Sequence, residues 1–252
     1  MLKNKSYIIT GIANSSSIAY GVAVKLREQG ARLAITYLND KAERFVRPLA
    51  EELGAEIIMP MDVSIPGEVE AVFAAAGETW GQIDGVVHSL AFCPLEDLHA
   101  SLSDCSRDGF IQALDISCYS FIEMARLAKP LMKEGGSLIS FSYLGSAMAV
   151  QDYNVMGVAK AALEASTRYL ARDLGKQKIR VNCISPGTIA TRAASGIKDF
   201  DSMLAQNKAM SCDGDLPTIE EVGNAAFYYL SDLSKGVTGT VHYVDHGVCI
   251  SG

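Results

Sequence analysis

A tyrosine and a lysine seven residues apart, Tyr153 and Lys160 in the stretch YNVMGVAK, stand in a segment of helical periodicity, with a second tyrosine, Tyr143, ten residues upstream. Seven residues are close to two helical turns. One helix carrying both would turn them to the same face, about 10 Å apart along its axis. A phenol offers an O–H donor, and an ammonium offers three donors and a compact charge. Facing one cleft, the two suit a reaction in which negative charge gathers on an oxygen. Other chemistries find less support. No G-x-S-x-G elbow is present, which removes a hydrolase of that type. His242 and His246 in TVHYVDHG would lie about 13 Å apart on a strand with no third ligand, so no metal site is expected. His88, at a strand end, reads as a satisfied structural histidine.

The elements that must position these groups follow from short apolar, β-branched runs separated by longer stretches of helical period. Strands are expected at 6–10, 32–37, 56–63, 85–91, 137–143, 180–186 and 240–245. Strands alternating with helices imply right-handed βαβ crossovers, and near-continuous apolar strands imply a sheet covered on both faces. The expected fold is α/β, a Rossmann-type doubly wound, seven-stranded, mainly parallel sheet forming a single domain over 1–252. Ligands of such sheets bind outside the carboxyl ends of the strands. One segment interrupts the alternation: residues 187–217 follow the sixth strand and delay the next helix, which suits a short helical flap at about 190–212.

Composition narrows the partners. The chain of 252 residues carries 22 Lys and Arg against 29 Asp and Glu, a formal charge of −7, and no clustered basic face. Neither a nucleic acid nor an anionic membrane is the expected partner. The six cysteines are scattered without a C-x-x-C, so buried thiols are expected rather than a disulfide framework. No apolar run reaches about 18 residues, and the opening MLKNKSYIITG lacks the pattern of a signal peptide. A soluble, cytoplasmic protein is the expectation.

The first strand runs into TGIANSSSIAYGVA (10–23), which opens a helix. Gly11 allows a tight turn, and Ser15, Ser16 and Ser17 can donate hydroxyls or cap a helix whose N-terminal amides attract a pyrophosphate. With Gly11 and Gly21 alone where a fingerprint has three glycines, the stretch reads either as a nucleotide site or as a capped strand-to-helix turn. Asp62, in MDV (61–63), either accepts from an adenine amino group or caps the next helix. At the second strand's end no acid stands at Tyr37 or Leu38 to hold a ribose 2′-hydroxyl, and Lys41 and Arg44 keep NADPH open beside NADH.

Taken together, Gly11 with Ser17-Ile18-Ala19, Asp62-Val63, HSLAF (88–92), Tyr143, Tyr153-x6-Lys160 and SPGTIATRAASGIKDF (185–200) closely resemble the bacterial enoyl-[acyl-carrier-protein] reductases of the short-chain dehydrogenase/reductase superfamily. The match runs in order from about residue 3 to residue 250. Its most specific part is the x6 spacing with the upstream Tyr; related ketoreductases use Tyr-x3-Lys, and Met156 stands where their Tyr would be. The resemblance implies NAD(P)H-dependent reduction, with NADH expected ahead of NADPH, of the trans-2 double bond of a carrier-bound enoyl thioester in type II fatty acid synthesis. It implies that Tyr153 stabilises an enolate oxygen, that Lys160 donates to the nicotinamide ribose, and that Tyr143 orients the substrate. It puts Gly11, Ser17, Ile18, Leu38, Asp62, Val63, Leu90, Ile189 and Thr191 on the cofactor. Phe92, Cys93, Met156, Ala194, Ile197 and Phe200 would line the acyl slot. Each of these apolar residues taken singly also reads as ordinary core.

Four positions depart from the family pattern: Ala91 and His246 where Gly is usual, Pro186 in SPG for SAG, and Arg192 in the flap. They bear on substrate range and inhibitor sensitivity. A carbonyl reductase of the same superfamily and a non-catalytic dinucleotide-binding sensor are the alternative readings. The resemblance also implies a homotetramer packed through the helices of 108–132 and 153–174, whose apolar surface exceeds what one sheet face needs. An acidic carrier would require a basic patch near the flap, for which Arg192, Lys198 and Lys208 are the candidates.

Overall fold

The computed structural model describes residues 1–191, Gly196 and 198–251. Seven strands, β1 (Ser6–Ile9), β2 (Arg32–Tyr37), β3 (Ile57–Pro60), β4 (Gly85–His88), β5 (Gly136–Phe141), β6 (Ile179–Pro186) and β7 (Val241–Val244), form one sheet in the order β3-β2-β1-β4-β5-β6-β7. Every neighbouring pair is parallel. The chain first winds outward from β1 to β3, then returns to lay β4 on the other side of β1. That reversal is the topological switch point, and in open α/β sheets it opens a ligand crevice at the carboxyl ends.

Helices cover both faces, so the strands can be apolar on both sides. On one face α1 (Ile18–Glu28), α2 (Asp40–Glu52) and α9 (Ile219–Leu230) bury a core that includes Ile9, Val22, Leu33, Val46 and Val222. On the other, α3 (Glu68–Trp80), α6 (Ser120–Ala128) and α7 (Asn154–Leu174) bury Val72, Phe121, Leu138, Leu163 and Val181. Gly21 serves this packing: a Cβ there would lie 2.4 Å from the Ile219 carbonyl oxygen, so glycine is what lets α1 reach α9. Short helices α4 (Leu95–His99), α5 (Arg107–Leu114) and α8 (Phe200–Met210) gather above the carboxyl ends.

Five strands are shorter than the sequence suggests, β1, β5 and β7 by one or two residues and β3 and β4 by more. The third ends at Pro60 rather than residue 63, because the Asp62 amide donates to Glu68 Oε2 (2.6 Å) instead of to a neighbouring strand. The fourth ends at His88 rather than residue 91, where the Ser89 amide turns to the Thr10 hydroxyl (3.4 Å). Both departures free the chain exactly above the crevice, as loop rather than ladder. Of the six cysteines, all are free thiols, but only Cys118 and Cys183 are buried, fewer than expected.

Candidate active site

Six of the loops leaving the carboxyl ends carry the residues singled out by sequence. Asp62 and Val63 follow β3, Leu38 follows β2, Gly11 follows β1, Leu90 follows β4, Tyr143 follows β5, and Ile189 follows β6. With strands about 4.8 Å apart, the row spans about 24 Å along one edge. The structure therefore brings residues remote in sequence into a single line.

At its middle, Gly11 holds φ +88°, and a Cβ added there would lie 2.0 Å from the Ser89 carbonyl oxygen. Only glycine lets the loops after β1 and β4 approach this closely. Ser17 sits at the N-cap of α1, yet its side chain does not cap the helix, contrary to one expectation. Its Oγ instead accepts from the amides of Ala13 (3.0 Å) and Asn14 (3.1 Å), folding the turn back on itself. In the first turn of α1 the Tyr20 and Gly21 amides reach the Ser17 carbonyl, while those of Ile18 and Ala19 have no partner among the described residues, the arrangement that favours an anion.

Asp62 is engaged locally: its Oδ1 accepts from the amide (2.9 Å) and hydroxyl (2.6 Å) of Ser64, while Gly67 caps α3. The capping alternative is therefore excluded. Leu38 is exposed (54%). Of the nearby cations, the Arg44 guanidinium lies over the Phe45 ring at 4.9 Å, and Arg47 is bonded to Glu43.

The chemical end lies over β5 and β6. Tyr153 is not on α7, as its spacing suggests, but is the residue before it, at the N-cap. Asp152 and Asn154 on either side hold φ of +59° and +36°, conformations that cost side-chain-bearing residues energy and occur mostly where function or packing demands them. Asn154 is anchored by its Nδ2, which donates to the Leu98 carbonyl (3.1 Å). The two-turn argument for a shared face therefore applies to Lys160 but not directly to Tyr153, whose direction is set by this twisted entry.

The Tyr153 ring meets the Tyr143 ring edge-on, with centroids 4.8 Å apart. Tyr143, Tyr153, Met156 and Cys93 join Leu98 and Val155 in a third, small apolar cluster beneath the site. Burial raises the ionisation of both phenols above their ordinary range, so both stay protonated donors. No described residue hydrogen-bonds the Tyr153 hydroxyl, whereas that of Tyr143 reaches Thr188 Oγ1 (3.2 Å) and Met203 Sδ (3.7 Å). Neither Thr188 nor Met203 was anticipated: Thr188 stands within SPGTIATRAASGIKDF but was assigned no role, Met203 belongs to no motif, and both reach Tyr143 from distant segments.

Lys160 is buried and donates to the Phe141 carbonyl (2.7 Å). Loss of hydration pushes its ammonium down to about 8, and nearby groups, Glu164 among them, partly oppose that shift. His88 is fully buried between Ser140 Oγ (2.7 Å) and Ser120 Oγ (2.8 Å). Ser120 already donates to the Ile116 carbonyl, so it accepts from His88, and Ser140 donates to the other ring nitrogen. Burial drives His88 down to about 3, leaving it a neutral structural strut.

A π-helical turn (Asp115–Tyr119) between α5 and α6 holds the wall at HSLAF. From it Ser117 both accepts from the Phe92 amide (3.1 Å) and donates to the Phe92 carbonyl (3.3 Å). Phe92 itself is exposed (45%). Ala91 is exposed and keeps a negative φ, so its methyl is accommodated without backbone strain.

In the flap region α8 begins at Phe200, which is partly buried, and Thr191 is partly buried with its amide on the Ile189 carbonyl (2.8 Å). Arg192, Ala194 and Ile197 lie outside the described residues. Of the other expected cations, Lys198 is exposed and Lys208 pairs with Asp215 at 3.7 Å. His246 occupies a left-handed position (φ +53°), which explains why glycine suits it. Here its ring bonds Asp213 (2.7 Å) and approaches Glu221 (3.4 Å), tying the end of the flap to the start of α9.

Comparisons with known proteins agree with this fold. A family profile described as enoyl-(acyl carrier protein) reductase matches residues 11–249. An enoyl-[acyl-carrier-protein] reductase [NADH] 2 of Rhizobium meliloti is 47% identical, covering 100% of this chain and 94% of that protein. The crystal structure of an enoyl-(acyl-carrier-protein) reductase from Anaplasma phagocytophilum in complex with NAD superposes with a TM-score of 0.96 at 46% identity, covering 100% of this chain and 96% of that one. A Bacillus cereus enoyl-acyl carrier protein reductase, solved with NADP+ and an indole naphthyridinone, gives 0.97 at 44% identity over 100% and 98% of the two chains. The chain belongs to the enoyl-[acyl-carrier-protein] reductase family.

Proposed function

We propose that this protein reduces the trans-2 double bond of enoyl thioesters carried on an acyl carrier protein, with NADH as the reductant. The observation that carries the reading is that α7 and its N-cap bring a buried phenol, Tyr153, and a buried ammonium, Lys160, to the end of a row of dinucleotide-type loops. NADH, when bound, supplies the hydride that goes to the β-carbon. The residues fit that cofactor: the close approach at Gly11 leaves room for a phosphate at the unpartnered amides of Ile18 and Ala19, with Ser17 shaping the turn and Ile18 opening the helix. Leu38 and Asp62-Val63 serve the adenosine end, and Leu90, Ile189 and Thr191 the nicotinamide end. The preference for NADH is supported by the relatives named for NADH; near the adenosine end Arg47 is paired with Glu43, while Lys41 and the Arg44 N–H groups carry no hydrogen bond among the described residues.

Chemistry at the substrate follows from what each side chain can donate. As negative charge builds on the thioester oxygen, the Tyr153 hydroxyl donates to it in a site of low dielectric, where such a bond is worth more than in water. Lys160 donates to the nicotinamide ribose and holds a positive charge nearby. Tyr143 braces the Tyr153 ring and orients the substrate. Phe92, Cys93, Met156 and Phe200, with Ala194 and Ile197 of the flap, line the acyl slot. Attack at the β-carbon rather than at the carbonyl puts the phenol farther from the reacting carbon, which is consistent with the longer Tyr-to-Lys spacing.

The test is absorbance loss of NADH and of NADPH with crotonyl thioester, for the wild type and Tyr153→Phe. Turnover with NADH that falls in the variant supports the reading. Reduction of a 3-ketoacyl thioester with no action on crotonyl thioester would replace it with a carbonyl reductase. A homotetramer is part of the proposal: Ile111 and Tyr119 on the α5–π segment and Tyr169 on α7 are exposed (52%, 52% and 69%), as an intersubunit face would be in one isolated chain. Light scattering of the purified protein checks it, and a monomer at micromolar concentration would refute it.

A further inference from the structure

Glu164 lies one turn beyond Lys160 on α7 and is spoken for in an unusual way. Its Oε1 accepts from two hydroxyls, Ser142 Oγ and Ser146 Oγ, each at 2.5 Å. These serines stand on either side of Tyr143, one residue before it and three after. Ser142 is also tied to β6, its amide donating to the Ile184 carbonyl (2.8 Å), and the Ser146 amide returns to the Tyr143 carbonyl (2.9 Å). One carboxylate oxygen thus closes the short loop that presents Tyr143.

The same helix grips this loop at two further points. Lys160 donates to the carbonyl of Phe141, the residue before Ser142. Gly157 lies under the Gly145 carbonyl so closely that a Cβ there would come within 2.7 Å of its oxygen. The Tyr153 ring fills the space beside Gly145, and Tyr143 packs against that ring. Any shift of the 142–146 loop relative to α7 therefore moves Tyr143 relative to Lys160 and changes the space in which the Tyr153 ring is held.

We propose that Glu164 is a positioning residue for the reduction: through Ser142 and Ser146 it clamps the Tyr143 loop onto α7 and so sets the position of Tyr143 relative to Lys160 and the space that holds the Tyr153 ring. This rests on the reading of Tyr143, Tyr153 and Lys160 given above. Without the carboxylate, the Ser142 hydroxyl, 5% exposed, loses its acceptor. A buried donor left unpaired is costly, and the loop would move to satisfy it. Near an active site, a displacement of about 1 Å lowers the rate by about 100-fold.

The experiment compares the wild type with Glu164→Ala, Glu164→Gln, the Ser142→Ala/Ser146→Ala double variant, and the triple variant that adds Glu164→Ala to it. Measured are kcat and KM for crotonyl thioester, the Kd for NADH, and the thermal midpoint. Glu164→Ala should lower kcat by about 10- to 100-fold while the NADH Kd stays within about threefold. Glu164→Gln keeps an acceptor oxygen and should return kcat to within about threefold of the wild type. The serine pair should reproduce the alanine effect, and the triple variant should be no slower.

An unchanged kcat in folded Glu164→Ala overturns the proposal, as does failure of glutamine to rescue or full additivity in the triple variant. Should Glu164→Ala not fold, Ser146→Ala, at a partly exposed position, takes its place, and an unchanged kcat there overturns the clamp equally. Tyr153→Phe runs alongside. Undiminished activity in it would refute the assignment of the phenols, whereas a slow Tyr153→Phe beside a wild-type-like Glu164→Ala would refute the clamp alone.

Discussion

Gly145 gives the sharpest test of how tightly the reacting phenol is held. A Cβ built on it lies 2.4 Å from Cδ1 and 3.0 Å from Cε1 of Tyr153, and 3.4 Å from Cδ1 of Tyr143. Ordinary carbon–carbon contact is about 3.5–4.0 Å, so Gly145→Ala asks the Tyr153 ring to retreat by about 1 Å or more. The ring is not the loose end of a flexible side chain. It is buried, it follows a backbone twisted at Asp152 and Asn154, and Tyr143 stands against it. The methyl should therefore turn or push the hydroxyl off its line to the substrate oxygen. A shift of that size predicts a fall in kcat of about 100-fold. Overpacking should cost about 1–3 kcal/mol of stability, leaving the protein folded.

The cofactor loops lie elsewhere along the sheet edge, and the NADH Kd should stay within about threefold. Steady-state NADH oxidation with crotonyl thioester measures the first effect, and NADH titration measures the second. Placed in a Tyr153→Phe background, the alanine should add little, because the hydroxyl it displaces is already gone. A folded Gly145→Ala enzyme with wild-type kcat would refute the claim that this contact sets the phenol's position. Full additivity with Tyr153→Phe would refute the route by which it acts.

Gly11→Ala should abolish NADH binding and lower stability by about 3 kcal/mol or more, since it combines a left-handed backbone with a methyl against the Ser89 carbonyl; near-normal NADH affinity by calorimetry would contradict this. Lys160 titrates at about 8 when folded against 10.5 as its ordinary value, so kcat/KM for NADH should fall on an alkaline limb near pH 8, and a profile flat to pH 9.5 would argue against a required ammonium. Because the folded value is the lower one, its burial costs stability below pH 8 and ceases to cost by about pH 10.5. Lys160→Met should accordingly be inactive yet more stable by roughly 1–3 kcal/mol at pH 7, a gain that denaturant titration should find shrinking as pH rises through that window. His246 is raised by its hydrogen bond to Asp213, so its contribution is complete below about pH 6.5 and lost as pH rises through the folded value. The drop in thermal midpoint caused by His246→Ala should be larger at pH 6 than at pH 9, and an equal drop at both would discount the ion pairs.

The seven strands, apart from their ends, the helices between them and the residues that follow the strands were legible in the sequence, whereas the order of those residues along the binding edge came from the sheet topology. What was legible depends on local features: apolar runs of strand length, helical periodicity between them, and a chemical residue just after each strand. The Tyr-x6-Lys spacing is local too. What the sequence could not place was anything fixed by contacts between distant segments. The left-handed residues that set Tyr153 at the mouth of α7 rather than on it are stabilised in part by Leu98, 56 positions away from Asn154. The need for glycine at position 11 exists only because β4 returns beside β1 and brings Ser89 against it. Thr188 and Met203 reach Tyr143 from 45 and 60 positions away, and Glu164 became visible only when α7 packed on the loop after β5. The roles of His246 and Ser17 turned on which neighbours their polar atoms met. Periodicity reports how a segment sits on its own axis, but hydrogen-bond partners and close approaches are decided by how segments are brought together, and only the folded chain does that.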